Sequence, residues 1–334
     1  MNLLDYFRSP LSPKVGLRIT GTLLGGTVKQ FEYRKKEILE KLYVQRCMST
    51  NKIAEIFGVD GFTISRWLRR HGIPRRGRAE YGIVKYPKRA FFGDLIEKSY
   101  LIGLRYGDIY ACREGKQIRV STTSTHPAFL TLFKRTFSNY THVIHMYPQN
   151  DGRGSFGWCI SCLLHPSFDF LLKKDSTIPS WILQNQQCFL SFLAGFFDSE
   201  GSILICRADP NYIGYRLRLP SVNVEVLKEI KGQLSRYGFC PKLYRAYRSG
   251  RCRKVEINRK SDVFKLLSLL PIKHPEKIMR RQLAFRLKAK KFWEEVKPDL
   301  LTLGYRIKEE VRQCIRRAEM MWNAKRGLHT RDGT

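Results

Sequence analysis

The sequence predicts an α+β fold in which two αββαββα repeats, related by a pseudo-twofold axis, follow a small all-α domain. Three observations carry this. The chain has 334 residues, enough for two or three domains of about 100 to 200 residues each. Its apolar residues keep a helical period from Tyr33 to about residue 75 and, beyond a basic linker, alternate between helical and strand periods. From Glu97 one order of elements runs to its end and begins again near Cys188, and an internal repeat decides a fold.

Residues 1–32 mix Pro, Gly, Ser and Thr without a period and read as an irregular arm. Residues 33–75 read as three helices. The first, YRKKEILEKLYVQRCM, puts Ile38, Leu39, Leu42 and Met48 on or near one side. The second opens at the Ser/Thr/Asn cap of STNKIAEIFG and stops at Gly58. The third, TISRWLRRHG, turns Ile64, Trp67 and Leu68 inward and Ser65, Arg66, Arg69 and Arg70 outward. This segment resembles a helix-turn-helix DNA-binding domain. The resemblance implies Thr63, Ser65 and Arg66 facing base edges in the major groove, with Arg69 and Arg70 near phosphates. A small bundle that packs on its neighbour is the alternative. Residues 76–94 read as a basic linker, and Arg75, Arg76, Arg78, Lys85, Lys88 and Arg89 in and beside it are expected to track a phosphate backbone.

The first repeat, 95–187, reads as helix EKSYLIGLRYG, strands DIYACRE and QIRVSTTS, helix HPAFLTLFKRTFSNY, strands THVIHMYPQ and FGWCISCLL, and a short helix FDFLLKK. The second, 188–275, reads as helix CFLSFLAGFFDSE, strands GSILICRA and GYRLRLPSVN, helix VEVLKEIKGQLSRYG, strands PKLYRAYR and KVEINR, and helix SDVFKLLSLL. Strands such as YRLRL and KVEINR alternate apolar with charged residues, so each sheet is expected to pack one face on helices and leave a basic face open. Arg119, Arg207, Arg216, Arg218, Arg245 and Arg248 are the strand arginines expected to meet DNA. Residues 276–334, with Ile307, Val311, Ile315 and Met321 at helical spacing, are expected to form basic amphipathic helices packed on the second repeat.

Lys and Arg number 61 against 29 Asp and Glu, a formal charge of +32 spread along the chain. Such a surface favours a polyanion by releasing its condensed counterions, and nucleic acid fits better than a membrane surface. No apolar run approaches the ~20 residues of a spanning helix, and the N-terminus lacks the features of a signal peptide. A cytoplasmic, nucleoid-associated protein is expected. The nine cysteines are odd in number and scattered, as reduced thiols are. Cys159, Cys162 and His165 have no second ligand pair and lie on a predicted strand, where positions three apart face opposite ways; zinc is not expected.

Leu193-Ala194-Gly195-Phe196-Phe197-Asp198-Ser199-Glu200-Gly201 resembles the LAGLIDADG signature, with Glu200 at the metal-binding acid of that family. Leu101-Ile102-Gly103-Leu104-Arg105-Tyr106-Gly107-Asp108-Ile109 resembles it more loosely, departing at Arg105 and Tyr106. Asp108 and Glu200 stand about one repeat length apart, as a monomer imitating a twofold dimer requires. Gly103 and Gly107, like Gly195 and Ser199, lie four apart on one helix face, so two helices can approach backbone to backbone. Their ends then set Asp108 and Glu200 side by side, where paired carboxylates can share hard divalent cations. Mg2+ is the expected cofactor, with Mn2+ able to substitute.

The resemblance spans roughly residues 96–290 and includes IPSWI, STTSTHPAFLTLF and IKHPEK, similar to archaeal-type members. It implies a monomeric double-repeat endonuclease whose two sheets form a saddle over double-stranded DNA. Both strands would be hydrolysed across the minor groove at a long recognition site, leaving short 3′ overhangs, in the service of intron or intein mobility. It also implies a basic residue beside each scissile phosphate: Lys173 or Lys174 in the first repeat, Lys273 or Lys277 in the second. Two alternatives share the fold, a non-catalytic transcriptional regulator and an RNA maturase whose partner is intron RNA.

Overall fold

A computed structural model describes residues 32–46, 48–75, 88–141, 143–152, 154–208, 211–246 and 250–329. The predicted arm, apart from Glu32, lies outside these residues, as do Arg76, Arg78 and Lys85 of the linker and Arg248. The chain divides into two units, with the boundary between Lys85 and Tyr86.

The first unit is helical. After a 3-10 turn at Glu32–Arg34, helix α1 (Lys36–Leu39) continues as a π-helical segment, Glu40–Gln45, with Leu42 and Tyr43 both buried. Helix α2 (Thr50–Phe57) begins where the Ser49 hydroxyl accepts from the Lys52 N–H at 3.2 Å and stops at Gly58, whose φ of 64° suits a residue without Cβ. Helix α3 (Gly61–Arg70) buries Ile64 and Leu68 against Leu39 and Ile53. Trp67 is only partly buried, its ring edge turned to Tyr33.

In the second unit the αββαββα order occurs twice. The first repeat runs α4 (Leu95–Tyr106), β1 (Tyr110–Glu114), β2 (Gln117–Ser124), α5 (Pro127–Phe137), β3 (Ile144–Asn150), β4 (Phe156–Leu164) and a 3-10 helix, Pro166–Leu171. After α6 (Ser180–Gln184), the second runs α7 (Gln186–Glu200), β5 (Ser202–Ala208), β6 (Tyr212–Ser221), α8 (Val224–Arg236), β7 (Lys242–Arg245), β8 (Arg253–Ile257) and α9 (Lys260–Leu269). The antiparallel sheets have equivalent orders, β1-β2-β4-β3 and β5-β6-β8-β7. Asp94 and Asn185 cap α4 and α7, accepting from Glu97 N–H at 2.8 Å and Cys188 N–H at 3.0 Å. One apolar core runs through both repeats, from Ile118, Ile160 and Phe168 through Leu104 and Phe192 to Leu217, Val255 and Leu267.

Several expectations need correction. The predicted helix FDFLLKK is the 3-10 helix Pro166–Leu171, started by Pro166 and capped by the His165 ring, so Lys173 and Lys174 fall beyond it. The end of the predicted linker is not free chain. Lys88 bridges to Thr141, Arg89 N–H donates to the Tyr140 carbonyl at 3.0 Å, and Phe91 packs on Tyr140 and Phe168. The C-terminal helices do not belong to the second repeat alone. Helix α10 (Pro275–Leu287) touches α5 and β5, whereas α11 (Lys297–His329) lies on β3 and β4 of the first repeat. There the Trp158 indole donates to the Cys314 carbonyl at 3.0 Å, and Cys314 and Ala318 enter the core. No helix among the described residues is long and apolar enough to cross a membrane.

Candidate functional site

The site is built on the crossing of α4 and α7. A Cβ at Gly103 would fall on the Phe192 carbonyl oxygen, and one at Gly195 on the Tyr100 carbonyl oxygen, so the helices meet backbone to backbone in a reciprocal contact. One turn further on, a Cβ at Gly107 would overlap Ser199 and lie 3.4 Å from Glu200 Cγ. The predicted packing faces therefore do meet, and they carry the helix ends together.

Asp108 follows the end of α4 and is exposed; Glu200 is the last residue of α7 and is half-buried. Desolvation by the surrounding protein raises both carboxyls above their ordinary values, and Asp108 adds to the rise at Glu200. Lys174 and Lys277 pull in the opposite direction at both acids. Among the described residues neither carboxylate accepts a hydrogen bond, so their oxygens are available to a ligand.

The lysines sort into two pairs. Lys174 donates to the Gly107 carbonyl at 3.3 Å, at the end of α4. Lys277 donates to the Phe197, Asp198 and Ser199 carbonyls at 2.5, 2.7 and 3.2 Å, at the end of α7. Each cation meets the negative end of a helix dipole, and the charges cross between repeats: Lys277 acts more strongly than Lys174 on Asp108, and Lys174 more strongly than Lys277 on Glu200. Burial lowers Lys277 to about 8, against the opposing pull of Asp198, Asp108, Glu276 and Glu200. Lys173 is exposed with no partner among the described residues, and Lys273 lies 4.1 Å over the Tyr100 ring. The lysines that act on the two acids are Lys174 and Lys277.

Asp198 was not expected to matter. It is fully buried, accepting from Tyr100 O–H at 2.6 Å and Lys273 N–H at 2.7 Å, while its second oxygen has no partner among the described residues. Burial raises its carboxyl. It ties the two repeats together beneath the acids. An acid within the apolar run of α7 was the available signal.

No family profile and no curated protein matches the chain. Solved structures similar to it include the homing endonuclease I-WcaI bound to its DNA recognition sequence, at 18% identity and a TM-score of 0.45 over 56% of this chain and 86% of that one. Mesophilic variants of the homing endonuclease I-DmoI match at 15% identity and 0.38, over 55% and 96%. The LAGLIDADG homing endonuclease I-GzeII in complex with its DNA target matches at 10% and 0.35, over 65% and 96%.

The open sheet faces differ from each other. In the first sheet register places Ser121, Thr123, Ser161, His145, Tyr147 and Gln149 away from the helices. The strand arginine on that face, Arg119, is paired with Glu114 at 2.9 Å. The expectation of a basic open face fails here, because these strands alternate apolar residues with uncharged ones. In the second sheet Arg216, Arg218, Lys242 and Lys254 share the open face. They surround Glu256, which the sequence reading passed over although KVEINR puts Lys254 and Glu256 on one side. Arg207 and Arg245 have the opposite parity and are exposed near strand ends. Cys162 joins the core while Cys159 has the other parity, and the His165 ring caps Ser167, so these three do not converge.

Proposed function

We propose that the chain is a site-specific double-strand DNA endonuclease of the LAGLIDADG homing type, with α4 and α7 each delivering one acid, and the segment after the 3-10 helix and the start of α10 each delivering one lysine. The observation that carries this reading is the set of two acids, Asp108 and Glu200, and two lysines, Lys174 and Lys277, gathered at the ends of two helices locked by glycine contacts.

Among the described residues no group of three His, Cys, Asp or Glu could hold a metal. Two carboxylates without hydrogen bonds nevertheless suit Mg2+, which keeps several waters and takes phosphate oxygens beside one or two carboxylates. Mg2+, or Mn2+ in its place, would supply Lewis acidity to the attacked phosphate and the leaving oxygen. Asp108 and Glu200 would hold the cation, whose charge would offset the repulsion between the two acids and DNA. Lys174 and Lys277 add positive charge where negative charge develops in the transition state. The glycine contacts fix the spacing between the two acids and hence between the two scissile phosphates.

Thr63, Ser65, Arg66, Arg69 and Arg70 on α3, together with Arg75, are proposed to dock DNA without taking part in cleavage. The decisive experiment replaces the acids. Asp108→Asn and Glu200→Gln, singly, should leave folding and DNA binding intact and bring double-strand cutting below detection, with each tenfold loss in rate corresponding to about 1.4 kcal/mol. Unaltered cutting in both variants would show that other carboxylates act. A wild-type protein that binds one sequence tightly yet never cuts it with Mg2+ or Mn2+ would be a regulator instead.

A further inference from the structure

The second sheet carries an acid at the centre of the face that would meet phosphates. Glu256 has 6% of its side chain exposed and lies 2.7 Å from Arg218 Nε, 3.3 Å from Lys254 Nζ and 3.7 Å from Arg216 Nη1. A carboxylate there repels a polyanion and lowers the positive charge of its own cluster, so it works against simple affinity. Burial pushes its carboxyl up, but the hydrogen bonds and charges of Arg218 and Lys254 outweigh that and hold it below the usual range, which favours the ionised form.

What it does to Arg218 is specific. Arg218 and Glu256 are direct cross-strand partners on β6 and β8. The carboxylate takes Nε, and among the described residues Arg218 makes no other hydrogen bond. Both terminal nitrogens are therefore without a hydrogen-bond partner among the described residues, on a side chain that stays 33% exposed. A guanidinium held at its base and free at its tip is the fork that pairs with guanine O6 and N7. Arg216, at 3.7 Å and 39% exposed, is held more loosely.

We infer that Glu256 is a positioning residue that holds Arg218 as a guanine-reading fork on the open face of the second sheet, an inference that rests on the proposed DNA-binding function. Glu256 lowers affinity for any duplex and raises discrimination at one base pair. Among the described residues the first sheet has no equivalent, since its open-face Arg119 is paired with Glu114, which is itself about half exposed.

The test uses the full chain without divalent metal. A duplex enriched by the wild type from a randomised library is compared with a scrambled duplex, and each position is varied one base at a time. Glu256→Ala should tighten binding to the scrambled duplex several-fold, steepen the salt dependence by roughly one phosphate contact, and reduce preference for guanine at one position by about tenfold. Glu256→Gln still accepts from Nε, so it should share the gain in scrambled binding and keep most of the guanine preference. Arg218→Lys keeps the charge and removes the fork; it should lose that preference with an unchanged salt slope, whether or not Glu256→Ala folds. A guanine preference within twofold of wild type in either Glu256→Ala or Arg218→Lys would overturn the inference and leave the endonuclease reading standing. A wild type that binds no duplex would overturn both.

Discussion

At the scale of single residues the small side chains of the two motifs decide whether the site forms. Because the atom that a Cβ at Gly103 or Gly195 would strike is a backbone carbonyl oxygen, no rotamer change can relieve it. Gly103→Ala and Gly195→Ala should each cost at least about 3 kcal/mol of unfolding free energy, the upper end for overpacking. Gly232 and Gly304 lie in helices with nothing within 4 Å of an added Cβ. Alanine there should stabilise by about 0.5 to 1 kcal/mol, and urea unfolding of the four variants checks the contrast. The close-packed glycines were legible because their spacing is local. The departures at Arg105 and Tyr106 were not. Arg105 donates to the Leu171 carbonyl at 2.9 Å and the Ile109 carbonyl at 3.1 Å, and Tyr106 to the Thr177 carbonyl at 2.6 Å. Apart from Ile109, these partners are far off in sequence, so a motif comparison sees only a mismatch where the fold has a tether.

At the scale of elements, which lysine serves each helix end depends on how the segments after β4 and α9 return to α4 and α7. Helical periodicity left adjacent candidates equivalent, and only the return path separates Lys174 from Lys173. Lys174→Ala and Lys277→Met should each slow cutting tenfold or more at saturating DNA, with Lys173→Ala indistinguishable from wild type; strand-labelled substrates read the loss in each half. A second contact between elements has a pH signature. Glu276, at the start of α10, lies 2.9 Å from the His126 ring at the start of α5 and 2.6 Å from Arg280, and these partners hold its carboxyl at about 2 against an ordinary 4.5. A depressed acid contributes stability that is present above its unfolded pKa and lost as pH falls through the folded one. The contribution is thus complete above about pH 5 and fades toward pH 2, with an upper bound of roughly 3 kcal/mol. Glu276→Gln should be less stable than wild type at pH 6, and the difference should shrink steadily below pH 4.5. A constant difference across that range would assign the loss to packing.

At the scale of the whole molecule the sequence showed two repeats and a positive charge of +32, while the distribution of both over the structure was only partly visible. The uncharged open strands of the first sheet could be read from QIRVSTTS and FGWCISCLL. The docking of α11 could not, because an amphipathic stripe states that a helix packs without stating on what. Helix α11 leaves the second repeat and covers β3 and β4, where it shields Ile144, Met146, Trp158 and Ile160 on the helix side of the first sheet. Removing residues 297–334 would expose that apolar strip and leave the Trp158 N–H without the Cys314 carbonyl. Exposed apolar area costs roughly 25 cal/mol per Å2, so the first repeat should lose several kcal/mol while the sheet of the second, which α11 meets through Leu300 and Leu303 in the cluster that holds Ile205 and Ile213, should lose less. Amide hydrogen exchange separates the repeats: in the truncated chain β3 and β4 should lose protection, and β6 and β8 should keep theirs. Equal loss in all four strands would mean that the two repeats unfold as one cooperative unit through α4 and α7. Unchanged protection in β3 and β4 would mean that α11 adds nothing to the first repeat. On the proposed function, the truncated chain would in the expected case still bind a duplex through Arg216, Arg218 and Lys254, and would cut poorly because Asp108, at the end of α4, depends on the loosened repeat for its position.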